Sequence, residues 1–533
     1  MRAPPFNFLK NCALLLCLLA PSVWMIATIP PLWRDSDAYN QLTVDPLITT
    51  FWGHGPAYSY LARVPLFLGQ QLERWWGIGG TAAASGSSPL TDTGVWLLII
   101  IQHLALAAAA FYFIRSISSS FWIRLTLALI WASNAIFYTF AHCTGSETLS
   151  LILIVLLVAK GLRLIRSRRE PLWTDWYLFA ITLCLSLLSR HVNVLLVLLL
   201  PTAFVLSWTQ NLVVTLFASR EKRGRWQRAL GSRQLRQAVI AIAVGIACAA
   251  VANSLPHNLA RKTKLRPHSR VGHTLMWRLQ FMKTLPPPER TALLQRVTVR
   301  THSPEARRLL SLLGQMHDEG ADVVGRAFAQ RAAPILFPGE ARVPWEKVDV
   351  ALNQMAYAFL LPPTPELLHA ATSDFAAAVK MSATGISDQL FVTTSYFFEH
   401  EAEMSGCAGL VTFRNASAET INRMPSEHVY FHLWQSMSYK EATMIWFGTL
   451  LVFAVIATWK KMNLGGIAAF GVALVAIGMV MTASACLLTE FLPRYALPMW
   501  LLLLLSLYTF LGTTADLLTI GKEKSAGQLP RLG

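Results

Sequence analysis

The stretch "TGSETLSLILIVLLVAKGLRLIRSRRE", residues 144–170, decides what kind of protein this is. Its middle, from Leu149 to Ala159, carries no charge. Glu147 stands at one end, and Lys160, Arg163, Arg166, Arg168 and Arg169 crowd the other. A run of about 20 predominantly apolar residues is what a helix needs to cross the ~30 Å hydrocarbon core of a bilayer. Basic residues gathered at one end of such a run are the signature of the positive-inside rule.

The rest of the chain repeats that pattern. Its 533 residues are 54% hydrophobic and only 14% charged, whereas soluble domains carry about 25% charged residues. Apolar runs near 9–29, 94–114, 121–141, 147–165, 173–189, 192–216, 237–254, 442–459, 464–488 and 493–516 predict about ten spans. The expected fold class is mainly α, a polytopic transmembrane helical bundle. Arg2 and Lys10 precede the first run, and no small-x-small cleavage site follows it, so an uncleaved first helix with a cytoplasmic N-terminus is expected.

The net charge of +17 sits largely in connectors: "KGLRLIRSRRE" (160–170), "SREKRGRWQRALGSRQLRQ" (219–237), "WKK" (459–461) and "GKEK" (521–524). Threading the spans from a cytoplasmic N-terminus puts all four on one side, so topology and anionic headgroups account for the charge and no nucleic-acid partner is expected. The seven cysteines form no CxxC, and five lie in apolar runs as small hydrophobes. Cys143 and Cys407 are the two with a chance to meet outside the membrane.

Three parts follow. Residues 1–254 form an N-terminal transmembrane module with a first external loop at 30–93, 255–441 an extracytoplasmic, mostly helical insert, and 442–533 a C-terminal transmembrane module. In the first loop, "FWGHGPAYSYLARVPLFLGQQLERWW" (51–76) reads as amphipathic helix lying in the interface, Trp and Tyr at headgroup level. In the insert, Ser303 before Pro304 marks a helix start. The insert opens on a basic run that includes Arg261, Lys262, Lys264, Arg266 and His268.

Ionisable residues gather at the external ends of the spans. "PPLWRDSDAYNQL" (30–42) brings Asp35, Asp37 and Tyr39, and "FAHCTGSETLSL" (140–151) brings His142 and Glu147. "LLSRHVNVLL" (187–196) brings Arg190 and His191, and "LLTEFLPRYALPMW" (487–500) brings Glu490, Arg494 and Tyr495. An ionisable group set against apolar sequence costs several kcal/mol unless it is paired, so such residues are candidates for function. Each alone is equally explained by a structural ion pair; four connectors carrying acids and bases to one level argue for a site.

Acids beside arginines at a membrane surface suit transfer of a sugar from a lipid phosphate. A carboxylate takes the proton of the attacking hydroxyl, and arginine forks stabilise the departing phosphate. A divalent cation, Mg or Mn, held by Asp35 and Asp37 is a second way to do so. Glu147 reads either as another carboxylate for metal or acceptor or as the partner of Arg190. Arg190 and Arg494 are the leading phosphate contacts, the basic start of the insert comes next, and Tyr39, His54 and Tyr58 fit a groove wall or interfacial anchors.

On these motifs the chain resembles the GT-C superfamily of polyprenyl- or dolichyl-phosphate-sugar-dependent glycosyltransferases, including the protein O-mannosyltransferases and the lipid A aminoarabinose transferase. "WRDSDAYNQL" resembles the acidic motif of its first external loop, at Asp35 and Asp37. "TGSETLSLILIVLLV" is similar to a Ser-Glu-x-Leu helix opening at Ser146 and Glu147, and "LPRYALPMWLLLLL" to an Arg-Tyr-x-x-Pro opening at Arg494, Tyr495 and Pro498. The resemblance implies an inverting transfer from a polyprenyl-phosphate sugar to an acceptor hydroxyl on the external face. It implies Asp35 or Asp37 as base; taken with the reading of the connectors, the residues expected to bind substrate are Glu147, Arg190, His191, Glu490, Arg494, Tyr495, Tyr39 and His54. With no organelle signal in the sequence, the expected location is a bacterial inner membrane with the site facing the periplasm. The insert has no counterpart in the resemblance, and the acceptor stays open. Two alternatives stand beside this reading: a lipid or solute transporter or flippase, and a membrane scaffold whose insert binds an envelope partner.

Overall fold

A computed structural model describes residues 5–34, 36–43, 56–77, 90–167, 171–218, 233–262, 271–321, 323, 325–339, 345–400, 410, 417–434, 436–460, 462 and 464–525. In chain order the described elements begin α1 Pro5–Thr28, β1 Leu32–Trp33, α2 Ser36–Thr43, α3 Pro56–Trp76, α4 Asp92–Ile117, α5 Phe121–Ala132, α6 Ala135–Ala141, β2 Cys143–Thr144, α7 Ser146–Arg166 and α8 Trp173–Ser189. A 3-10 helix, His191–Leu198, then leads into α9 Leu199–Ala218 and α10 Arg233–Lys262. The insert supplies α11 Val271–Arg278, α12 Pro287–Arg300, α13 Pro304–Asp318, α14 Gly325–Leu336, α15 Trp345–Leu360, α16 Pro365–Lys380, α17 Ala383–His400, α18 Ala418–Glu427 and α19 Val429–His432. The chain closes with α20 Tyr439–Trp459, α21 Gly465–Leu488, a 3-10 turn Pro493–Ala496 and α22 Leu497–Ser525.

This is an integral, multi-pass membrane protein of mainly helical fold. Among the described residues, eight helices are long and apolar enough to cross a bilayer. The run at 121–141, expected as one span, is two helices meeting at 66°. Ser133 and Asn134 cause the break: the hydroxyl of Ser133 bonds back to the Ile130 carbonyl at 2.8 Å, and Asn134 has the extended backbone of a helix start. The run at 173–189 makes only the 17-residue α8. After Arg190 the chain continues as 3-10 helix before α9 begins.

The bundle core is shared by α1, α4–α10 and α20–α22; Trp131, Phe137, Trp500 and Phe510 are fully buried in it. Amphipathic α3 lies across α4. An added Cβ on Gly69 would stand 2.2 Å from Gly94 Cα, so only two glycines permit this crossing. The opposite side of α3 exposes Leu61, Val64, Phe67, Trp75 and Trp76, the apolar face an interfacial helix turns to lipid.

The insert divides physically. Residues 271–367 build their own core around Leu313, Phe328, Leu352 and Phe359. Helix α13 starts where Ser303 Oγ accepts from the Ala306 N–H at 3.3 Å with Pro304 at its first position. From α16 onward the insert joins the bundle instead: Ala378, Ile386, Phe391 and Phe431 belong to the bundle core. Helix α17 thereby lies over β1 and α6, which is what brings the insert to the site.

Candidate functional site

The site starts from a two-residue parallel bridge. Leu32 pairs with Cys143 and Trp33 with Thr144, and Leu32 N–H donates to the His142 carbonyl at 3.0 Å. This fixes the exit of α1 against the start of α7, so Arg34 and Glu147, 113 positions apart in the chain, face each other. Helix α17 locks the bridge from above. Thr394 Oγ1 accepts from the Trp33 N–H at 3.0 Å and reaches the Trp33 carbonyl at 2.9 Å, while Phe397 stacks on the Trp33 indole at 5.8 Å.

Glu147 is the centre. Arg34 Nη1 donates to both its carboxylate oxygens, 2.8 Å to Oε1 and 3.0 Å to Oε2. Arg190 Nη1 lies 2.6 Å from Oε1, and Arg494 Nε 3.9 Å from the same oxygen. The Glu147 and Arg34 side chains are each 3% exposed, Arg190 19% and Arg494 14%. Arg34 is therefore sealed in as a fixed partner, whereas Arg190 and Arg494 keep an open flank.

Local sequence explains each position. Asn193 Nδ2 donates to Ser150 Oγ at 2.8 Å, one turn along from the Arg190–Glu147 contact on both helices, so the two pairs set one register. Arg494 rides on the 3-10 turn 493–496, whose Tyr495 carbonyl accepts from Thr482 Oγ1 of α21 at 3.2 Å. Gly145 precedes Glu147 with φ +149, and a Cβ there would meet Glu147 Oε2 at 2.9 Å. Tyr58, on α3, is buried: its hydroxyl accepts from the Gly145 N–H at 2.9 Å and donates to Gln102 Oε1 at 3.3 Å. Burial pushes that phenol well above the ordinary tyrosine range, so it stays a donor.

The residues expected at the site fare differently. Glu147, Arg190 and Arg494 come together, and Glu147 takes the role of arginine partner. Tyr495 lies beside them with the Arg494 guanidinium 5.5 Å from its ring centre, and Tyr39 packs at the edge of the cluster of Trp33, Leu42 and Tyr58. His191 and Glu490 are exposed, and among the described residues Glu490 makes no ion pair with the cluster. Asp35 and His54 lie outside the described residues; Asp37 falls within α2, but its side chain lies outside them, as do those of Arg261, Lys262, Lys264, Arg266 and His268. Cys407 lies outside them too, and Cys143 is buried. Among the described residues no group of three or more His, Cys, Asp or Glu is placed to hold a metal ion.

His142 turns away from the cluster. Its Nε2 faces the Ile29 carbonyl at 2.9 Å and must carry the proton, which leaves Nδ1 to accept from His103 Nε2 at 3.1 Å. His103 Nδ1 in turn accepts from Ser22 Oγ at 3.0 Å. This buried chain ties α1, α4 and the start of β2 together beneath the bridge. Sequence reading missed Arg34 as a member; the signal was a cation immediately after a four-residue apolar stretch, overshadowed by the two aspartates that follow.

Three guanidinium groups around one carboxylate leave a surplus of positive charge on a largely buried, partly open flank, where its pull on an anion is stronger than in bulk water. Comparison with known proteins adds no assignment: no family model, no characterised protein and no solved structure matches the chain.

Proposed function

We propose that this chain is a membrane glycosyltransferase that moves a sugar from a polyprenyl-phosphate donor to an acceptor hydroxyl. The observation that carries the reading is the pair of partly open guanidiniums, Arg190 and Arg494, backed by the sealed Arg34–Glu147 pair at one end of the bundle. Such a pair fits a phosphate that must lie at the membrane surface because its lipid chain lies in the bilayer. In the proposed step the acceptor oxygen bonds to the anomeric carbon as the carbon–oxygen bond to phosphate breaks. The bonding pair leaves with the lipid phosphate, and Asp35 or Asp37 takes the hydroxyl proton. Arg190 and Arg494 hold the charge that develops on the phosphate; Arg34 and Glu147 orient them. A divalent cation held by Asp35 and Asp37 would share that charge.

The test is release of polyprenyl phosphate when purified protein is incubated with a panel of polyprenyl-phosphate sugars. Turnover that is abolished in both Asp35→Asn and Asp37→Asn, or in one of them, supports the reading. No release from any donor, or full release from both variants, overturns it. Movement of lipid or solute across a vesicle membrane without release would favour the transporter instead.

A further inference from the structure

Helix α7 has a second polar end, which sugar transfer does not use. There Lys160 Nζ stands 4.6 Å from the centre of the Tyr112 ring, and the Arg163 guanidinium carbon 5.8 Å from the same centre. Arg163 Nη1 also donates to the Tyr112 hydroxyl at 2.7 Å. Arg115 follows Tyr112 by three positions and so shares its face of α4, with its guanidinium 5.4 Å from the Phe111 ring centre. Lys160 is half-buried, and Arg163 and Arg115 are exposed.

The neighbouring cations are already committed. Arg166 donates to the Ser116 carbonyl at 2.8 Å and to Thr513 Oγ1 at 2.6 Å, and Arg124 Nε to the Ser118 carbonyl at 2.6 Å. Among the described residues no carboxylate is in ion-pair contact with Lys160, Arg163 or Arg115; Asp175 acts on Arg163 only from longer range. Two cations thus rest on one tyrosine, a third lies beside it on Phe111, and among the described residues no carboxylate neutralises them.

Their depth selects the ligand. Lys160 lies six residues inside the end of α7, about 9 Å of helix, so its stem runs along apolar surface and its ammonium reaches for headgroup level. At the same end, Leu172 just before α8 and Trp173 and Tyr177 in its first turns are exposed, apolar and aromatic groups beside which acyl chains lie. The geometry points to a binding site for the phosphate of an anionic phospholipid on the shared flank of α4 and α7, at the end of the bundle opposite Glu147. The Arg163 fork takes two phosphate oxygens, Lys160 a third, and Tyr112 holds both cations in place.

Native mass spectrometry of the full-length protein titrated with phosphatidylglycerol or phosphatidylcholine tests this. Wild type is expected to retain phosphatidylglycerol preferentially. Lys160→Gln/Arg163→Gln is expected to lose about thirty-fold in phosphatidylglycerol binding while melting like wild type in phosphatidylcholine alone, and Lys160→Arg/Arg163→Lys to keep most of it. Equal retention of the two lipids by wild type, or undiminished phosphatidylglycerol binding by the double glutamine variant, would overturn the site. Displacement of the lipid by millimolar inorganic phosphate would overturn the lipid as its occupant.

Discussion

The two ends of α7 solve the same problem in opposite ways. At the Glu147 end a charge is taken out of water and surrounded by three counter-charges. At the Lys160 end charges stay at the surface and keep their attraction for something outside the protein. The apolar turns between them are alike, so the difference lies in what each end packs against. Glu147 is closed in by β1, α17 and the 493–496 turn, whereas Lys160 and Arg163 look out past α4. The lesson is that a charge at a helix end becomes structural or available according to how many elements cover it.

The largest blow to that contrast would come from Glu147→Ala. Stripping a buried carboxylate from its arginines costs about 3–5 kcal/mol, so thermal unfolding in detergent should shift steeply downward, while Lys160→Ala should move it by at most ~0.5 kcal/mol. Equal melting of the two variants would erase the distinction. Next in size is a split among the arginines. Arg190→Gln should weaken binding of polyprenyl phosphate by about 1.5–3 kcal/mol and also lower stability, because Arg190 is the guanidinium nearest the buried Glu147. Arg34→Gln should lower stability with a smaller loss of binding. Isothermal titration beside thermal unfolding reads both. Gly145→Ala should cost about 1–3 kcal/mol, because its φ of +149 is strained for alanine and its Cβ would crowd Glu147 Oε2.

A smaller effect sharpens the comparison from outside the bundle. His317, on α13, is buried, and among the described residues neither ring nitrogen has a hydrogen-bond partner. Burial, then Arg290 and Lys283, pull its pKa down to about 4. The folded insert holds it neutral while the unfolded chain takes up a proton near the ordinary value of 6.5. Stability should therefore be full above pH 6.5 and fall, by roughly 1 kcal/mol or more, as pH drops toward 4. His317→Phe should flatten that dependence in a pH series of melting curves. Asp318 alone is too weak a counter-charge to offset burial and two nearby cations, so His317 stays neutral; Glu147, with three arginines, does not have to.

Much of this was legible in sequence, and for a physical reason. Spans announce themselves by apolar length, and the one-sided placement of charge told which connectors share an end, so Glu147, Arg190 and Arg494 could be grouped. What escaped depends on contacts rather than composition. The Leu32–Cys143 pairing leaves no periodic trace in two residues. Asn134 reads as one polar residue in an apolar run until its extended backbone ends a helix. Helices α17, α18 and α19 have patterns like those of 271–367, and only docking decides that Phe391, Ile421 and Phe431 join the bundle core. His142 carries no mark that its ring faces His103 rather than Glu147.

The clamp of Thr394 on Trp33 also imposes an order in time. Arg34 and Glu147 can meet once α7 has been made, but Thr394 and Arg494 arrive only after several hundred more residues, on the order of tens of seconds at ribosomal speed. During that interval the nascent bundle holds an acid and one or two arginines with no roof over them. Until then the acid and its first arginines lack the contacts that Thr394 and Arg494 supply, and a chain stopped before α17 would never acquire them.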